Sequence, residues 1–285
     1  MIPLDRTLQQ SPHWEAELAL EFESRDGATR LTGRRHRGPL RVQKALYPEG
    51  ETVCQTILLH PPSGIAGGDQ LHVSADVGAN SHAQITPPGA GKWYRSGGPE
   101  ASQRLDFSIG DNAILEWLPQ ETIVFDGAKA YMEARVQLAA HSRYLGWEIL
   151  CLGRSAAGER FDHGNIGLHT RIERAGQPLW LERGRISGND PMLKSAAGWA
   201  GASVCGTLLV TLPHGKTPPT LLDACRAIRP ADGADHGVTA LPDMLVARYL
   251  GHSSEAARHW FVELWTLLRP PLLGRPAIPP RIWKT

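Results

Sequence analysis

The chain has 285 residues, which permits one large domain or two small ones and is enough to bury a hydrophobic core without disulfides. Its formal net charge of +1 gives no global field that would attract nucleic acid or an anionic membrane. Residues 1–10 lack a targeting pattern and no run approaches the ~18 apolar residues that span a bilayer, so we expect a cytoplasmic protein.

Period-two alternation of apolar and polar residues is the dominant pattern along the chain. It begins with E-A-E-L-A-L-E-F-E at residues 15–23, and shorter apolar runs separated by Gly, Pro and Asp turns follow. The predicted strands cover 15–23, 52–59, 70–77, 103–109, 113–118, 122–125, 131–138, 144–152, 179–182 and 203–212. This pattern predicts a mainly β fold, a single antiparallel or mixed domain over residues 1–285, with antiparallel pairing predominant.

Two α-helices are predicted near the C-terminus. The first covers about residues 217–229, with Thr217 as its cap and Pro218 at its first position. The second covers about residues 253–269, is capped by one of the two serines at its start, and carries a wide apolar stripe. Pro270 is expected to stop it, and the remaining tail is expected to be extended.

The one basic cluster, Arg34-Arg35-His36-Arg37, is flanked by glycines and is predicted to be a solvated loop. The segment P-G-A-G-K-W at 88–93 resembles the end of a phosphate-binding loop. However, Thr86 replaces the first glycine and Trp93 the hydroxyl residue, so nucleotide binding is not indicated. His60 and His163 are expected to be loop or edge histidines rather than permanent metal ligands.

Other enzyme and metal signals are weak. The sequence has no G-x-S-x-G elbow, so a hydrolase would need a triad assembled from distant residues. Its twelve histidines form no H-E-x-x-H motif, and its four cysteines form no C-x-x-C pair. A permanent cofactor or metal is therefore not expected, and a nickel-storage protein would need His- or Cys-rich tracts that are absent.

Three glutamates stand inside apolar strand segments, Glu116 in L-E-W, Glu148 in W-E-I and Glu182 in L-E-R. In alternating strands, these side chains can simply face water. Alternatively, they line a partner surface or a wet interior path, since a buried carboxylate is costly unless it is paired or hydrated. Carboxylates along such a path could pass a divalent cation onward without trapping it.

An ordered set of segments carries a family resemblance. The most specific is L-E-W-L-P-Q-E-T-I-V-F-D-G-A at 115–128. The others are 38–44, 47–50, 58–69, 86–96, 145–149, 151–154, 158–159, 182–183 and 280–283. Together they resemble the UreD (also called UreH) family of urease accessory proteins from about residue 38 to the end, with a weak match over 213–250. Ser63, Pro87 and Gly91 depart from the family pattern, and roles of the family's side chains there do not carry over.

The resemblance implies a mainly β fold with two helices and no catalysis. It implies a scaffold that binds apo-urease and the UreF–UreG complex and assists nickel insertion into urease. It also implies a water-filled path for transient nickel(II), with Asp69, Glu148 and Glu182 as the acidic residues expected to line it. A hydrolase with a non-local triad is the alternative, and neither nucleic acid nor membrane is expected as a partner.

Overall fold

The computed structural model describes residues 14–212 and 217–284, so the expectation about residues 1–10 lies outside the described residues. The described part is built of strands and two α-helices, α1 (Pro219–Ala227) and α2 (Ser254–Leu273). The strands are β1 (Glu15–Arg25), β2 (Ala28–Arg37), β3 (Arg41–Val42), β4 (Cys54–Leu59), β5 (Gln70–Val77), β6 (His82–Thr86), β7 (Gly91–Trp93), β8 (Ala101–Ile109), β9 (Ile114–Trp117), β10 (Thr122–Val124), β11 (Lys129–Leu138), β12 (Arg143–Leu152), β13 (Asn165–Arg174), β14 (Gln177–Ser187), β15 (Val204–Thr211), β16 (Asp235–Leu241) and β17 (Met244–Gly251).

The strands form two sheets. The first has the order β14-β13-β11-β8-β5-β1-β2, and the second has the order β16-β17-β15-β12-β9-β6-β4-β3, with β10 and β7 attached through β12. The chain passes from one sheet to the other between most successive strands, so neighbours within a sheet run in the same direction. The mainly β, mixed class is confirmed. The expected predominance of antiparallel pairing is wrong in the middle of both sheets, because alternation reports which face is buried and not strand direction.

Two apolar cores hold these layers together. The larger lies between the sheets, where the alternating residues of β1 predicted to share a face, Leu18, Leu20 and Phe22, are each 1% exposed. The second lies on the opposite side of the second sheet, where Trp260 and Trp265 of α2 are buried against it. The order is therefore first sheet, second sheet, helices.

The helices differ from expectation at their ends. Pro218, rather than Thr217, occupies the cap position of α1 and offers no side-chain hydrogen bond. The hydroxyl of Ser253 caps α2 by accepting from the amide of Ala256 at 3.1 Å. Helix α2 continues through Pro270 and Pro271 to Leu273. The Leu273 side chain is buried there, although neither proline can donate a backbone hydrogen bond.

Two further segments are more ordered than the sequence indicated. The basic cluster 34–37 lies on β2, which is an edge strand and not a loop, and its charges discourage further strand pairing. The tail forms a 3₁₀ helix at Arg281–Lys284. There, the indole of Trp283 donates to the hydroxyl of Thr86 at 2.8 Å and packs beside Trp147. None of the helices in the described part is long and apolar enough to cross a membrane.

Candidate functional site

A cavity of about 780 Å³ lies between the two sheets. Its lining includes large apolar side chains such as Trp93 and Tyr144 together with several small residues that leave space between the sheets. These small residues are Gly146, Thr170, Gly184, Cys205 and Thr207.

Glu148 faces this cavity from β12. Strand register places Glu148 beside Thr207 of β15, and Thr207 beside Arg248 of β17, so the three side chains form one row on the inner face of the second sheet. Burial raises the pKa of Glu148 to about 7, and the negative charge of Glu182 adds to the effect. In the described residues no hydrogen bond or ion pair to the Glu148 carboxylate is formed. Its remaining accessible surface faces the cavity, where it is available to a cation or to water.

Glu182 reaches the same cavity from β14 of the opposite sheet. Its carboxylate accepts a hydrogen bond from Arg248 Nη2 at 2.7 Å and a longer one from the indole of Trp180 at 3.3 Å. The Arg248 guanidinium also lies 5.7 Å from the centre of the Trp180 ring. The side chains of Glu182 and Arg248 are 33% and 43% exposed, so this pair connects the two sheets where the cavity meets solvent.

Asp69, the third residue predicted for a nickel path, lies apart from the other two. Its carboxylate accepts from the backbone amides of Trp14 at 3.1 Å and Ala66 at 2.8 Å, which fixes a turn, and it does not line the cavity. Burial lowers the pKa of His60, which does line the cavity, and the negative charge of Asp69 partly offsets that effect. A direct contact between Asp69 and nickel remains a prediction that this geometry does not support.

Glu116, the other glutamate that the sequence analysis identified, lies on the opposite face of the second sheet. It is fully buried beneath α2, where it accepts from Trp265 Nε1 at 2.6 Å, from two nitrogens of Arg269, and from His82 Nε2 at 2.7 Å. Burial opposes its ionisation, but the hydrogen bond and charge of His82 and then Arg269 lower the pKa of Glu116 to about 2. This glutamate is a structural anchor.

The sequence analysis missed several cavity residues. His60 lines the cavity with a buried Nε2 that has no hydrogen-bond partner in the part of the chain that the structure describes, although its loop position was predicted correctly. Arg248 was missed because β16 and β17 were not predicted. Its signal was a single arginine inside the apolar run M-L-V-A-R-Y-L at 244–250. Cys205 also lines the cavity, and burial raises the pKa of its thiol.

The cavity therefore offers an open set of carboxylates rather than a closed cage. Glu133 and Asp190 also line it, but Glu133 is paired with two arginines and Asp190 caps a 3₁₀ turn. Over residues 14–212 and 217–284, no three His, Cys, Asp or Glu side chains converge into a group that could hold a metal ion. Hard divalent cations favour carboxylate and water oxygens as ligands. Two carboxylates and water can contact such a cation and release it again.

Comparisons with known proteins agree with the resemblance. A family model described as UreD urease accessory protein matches residues 15–284. The urease accessory protein UreD of Dechloromonas aromatica is 66% identical over 278 residues, which cover 97% of this chain and 96% of that protein. The UreD of an Azoarcus species is 52% identical over 274 residues, 96% of this chain and 95% of that protein. The chain belongs to the UreD family of urease accessory proteins.

Proposed function

We propose that this chain is a non-catalytic scaffold that binds apo-urease and the UreF–UreG complex and passes nickel(II) toward urease through the inter-sheet cavity. Its family membership assigns it a role in urease maturation. The observation that supports the finer proposal is the placement of Glu148 and Glu182, from opposite sheets, in one cavity large enough to hold water. Nickel is cargo here, and contact with two carboxylates and water is weak enough for it to move on.

The cavity chemistry fits transit better than storage. Glu148 has no hydrogen-bond or ion-pair partner within residues 14–212 and 217–284, so it can take up a cation without first breaking an ion pair. His60 adds an imidazole nitrogen that no described residue hydrogen-bonds, and burial lowers the pKa of this imidazole, which favours its neutral, ligand-competent form. These donors are distributed along the walls, which favours stepwise passage over capture at one point.

The alternative of a hydrolase receives no support from the described residues. A triad needs a hydroxyl, a histidine and a carboxylate in contact. The contact between Ser203 Oγ and His252 Nδ1 is 3.5 Å long and exposed, and no described carboxylate bonds to His252.

The test uses cells that express a complete urease operon. We expect Glu148→Gln and Glu182→Gln, alone and together, to lower nickel content per urease and urease activity several-fold at limiting nickel, with unchanged amounts of apo-urease. The matched control is Glu173→Gln, which removes an equal charge from an exposed ion pair with Arg171 that does not line the cavity. Undiminished urease nickel in the double variant would refute passage through this cavity.

Partner binding is tested separately by affinity purification of the chain from the same cells. We expect UreF, UreG and urease subunits to co-purify with both the wild-type chain and the Glu148→Gln, Glu182→Gln double variant. A double variant that loses its partners would assign the nickel defect to assembly instead of passage.

A further inference from the structure

Arg248 lies between the two cavity acids. It is bonded to Glu182 at 2.7 Å and is separated from Glu148 by the small Thr207 in the strand register. Two strand spacings place the backbones of Glu148 and Arg248 about 10 Å apart. The arginine side chain is long and can therefore leave Glu182 by side-chain rotation, without a change in the backbone.

The bond between Arg248 and Glu182 is easy to exchange. Both side chains are partly exposed, and exposed ion pairs contribute only about 0–1 kcal/mol. Arg269 shows the opposite arrangement, with 0% exposure and hydrogen bonds to Glu49, Glu116 and a backbone carbonyl. The fold thus has one arginine that is fixed in place and another that is held loosely at the cavity edge.

We propose that Arg248 is a displaceable counter-ion, which neutralises Glu182 when the cavity is empty and turns away when a divalent cation binds between Glu148 and Glu182. This inference rests on the proposed passage of nickel through the cavity. While Arg248 holds Glu182, one carboxylate is unavailable to the cation, so the guanidinium competes directly with binding. After the cation leaves, Arg248 returns to Glu182, and the competition keeps the cation weakly held.

The test measures Ni²⁺ affinity of the purified full-length chain at pH 7.5 by equilibrium dialysis. We expect Arg248→Gln to bind Ni²⁺ about fivefold or more tightly than wild type, because one competing charge is gone. Arg248→Lys keeps a cation at this position and should return the affinity close to wild type. Arg171→Gln removes the same charge from an exposed pair away from the cavity and should leave the affinity unchanged.

An Arg248→Gln affinity that equals or falls below wild type would overturn the inference, since removal of a competing counter-ion must strengthen cation binding. Arg248→Met, which keeps an apolar stem beside Trp180, repeats the measurement if the glutamine variant has a lowered melting temperature. The Glu148→Gln, Glu182→Gln double variant separates the two ideas. If the double variant binds Ni²⁺ more weakly but Arg248→Gln has no effect, only the counter-ion role is refuted. If the double variant binds Ni²⁺ as tightly as wild type, both the cavity site and the counter-ion role are refuted.

Discussion

The two faces of the second sheet each carry a glutamate, and the environments of these two glutamates are opposite. Glu116 faces α2 and is fully buried, with hydrogen bonds from His82, Trp265 and Arg269. Glu148 faces the cavity, has no protein partner among the described residues, and is held near a pKa of about 7. Both stand between apolar residues in strands of the same sheet, so the number of donors, and not the local sequence, decides which acid anchors the fold.

Within this one sheet, the helix-facing glutamate contributes to stability, whereas the cavity-facing glutamate is available for function. A buried carboxylate with several charged and polar donors is stable as an anion and has no free oxygen to offer a ligand. A carboxylate that faces a small wet cavity without partners is costly as an anion and is available for binding. We therefore expect substitutions on the helix side to destabilise the fold and substitutions on the cavity side to spare it.

The largest expected effect is at Arg269. Arg269→Ala leaves Glu49 and Glu116 buried without their shared cation, and breaking a buried pair in this way costs about 3–5 kcal/mol. Urea unfolding monitored by tryptophan fluorescence measures the loss. The control is Arg25→Ala, which breaks an exposed pair with Glu23 and should cost no more than about 1 kcal/mol. Equal losses in the two variants would contradict the anchoring role.

The second expected effect is a gain in stability, in Glu148→Gln. The pKa of Glu148 is raised by burial, so ionisation of Glu148 lowers stability as pH rises from about 4.5 to about 7. Glu148→Gln removes this cost and should stabilise the chain by about 1–3 kcal/mol at pH 8 and by nothing at pH 4. Unfolding midpoints at the two pH values measure the difference.

The stability change expected for Glu116→Gln has the opposite sign to that expected for Glu148→Gln. Its folded pKa is depressed to about 2, so its contribution to stability is complete above about 4.5 and is lost as pH falls toward 2. Glu116→Gln should therefore destabilise the chain most at neutral pH and least near pH 2. If the change in unfolding free energy varied with pH in the same way for Glu116→Gln and Glu148→Gln, the difference between the two faces would be refuted.

A third effect concerns the indole that helps to anchor Glu116. Trp265→Phe removes a hydrogen bond to a buried charge, worth about 1.5–3 kcal/mol. Trp147→Phe is the matched control, because the Trp147 indole donates to the neutral backbone carbonyl of Pro119 at 2.7 Å, a bond worth about 0.5–1.5 kcal/mol. Both variants lose the same ring area, so the excess loss in Trp265→Phe reports the hydrogen bond to charged Glu116 together with the weakened contact between this ring and Arg269.

Sequence alone predicted the strand-rich fold and the strands with clear alternation, because alternation records burial directly. It missed β2, β3, β6, β7, β13, β16 and β17. It also placed Glu148 and Glu182 in strands, but it did not predict that Glu116 would face a helix about 150 residues further along the chain. That pairing depends on α2 crossing the outer face of the second sheet. Strand direction and the Arg248–Glu182 contact were out of reach for the same reason, since both depend on which strands become neighbours.

The smallest expected effect tests the other end of the helix that covers Glu116. Ser253→Ala removes the cap that accepts from the Ala256 amide, and loss of such a cap costs about 1 kcal/mol. Ser253→Asn retains a capping oxygen and should restore stability. Chemical unfolding of the two variants measures the difference.

If the ion network under the C-terminal half of α2 holds the helix in place, Ser253→Ala should loosen only its first turn. Amide hydrogen exchange should then rise near residues 254–257 and stay slow at 264–269, next to Glu116. Faster exchange along the whole helix in Ser253→Ala would mean that the cap and the buried glutamate act as one unit, and that the anchoring attributed to Arg269 is shared with the helix start.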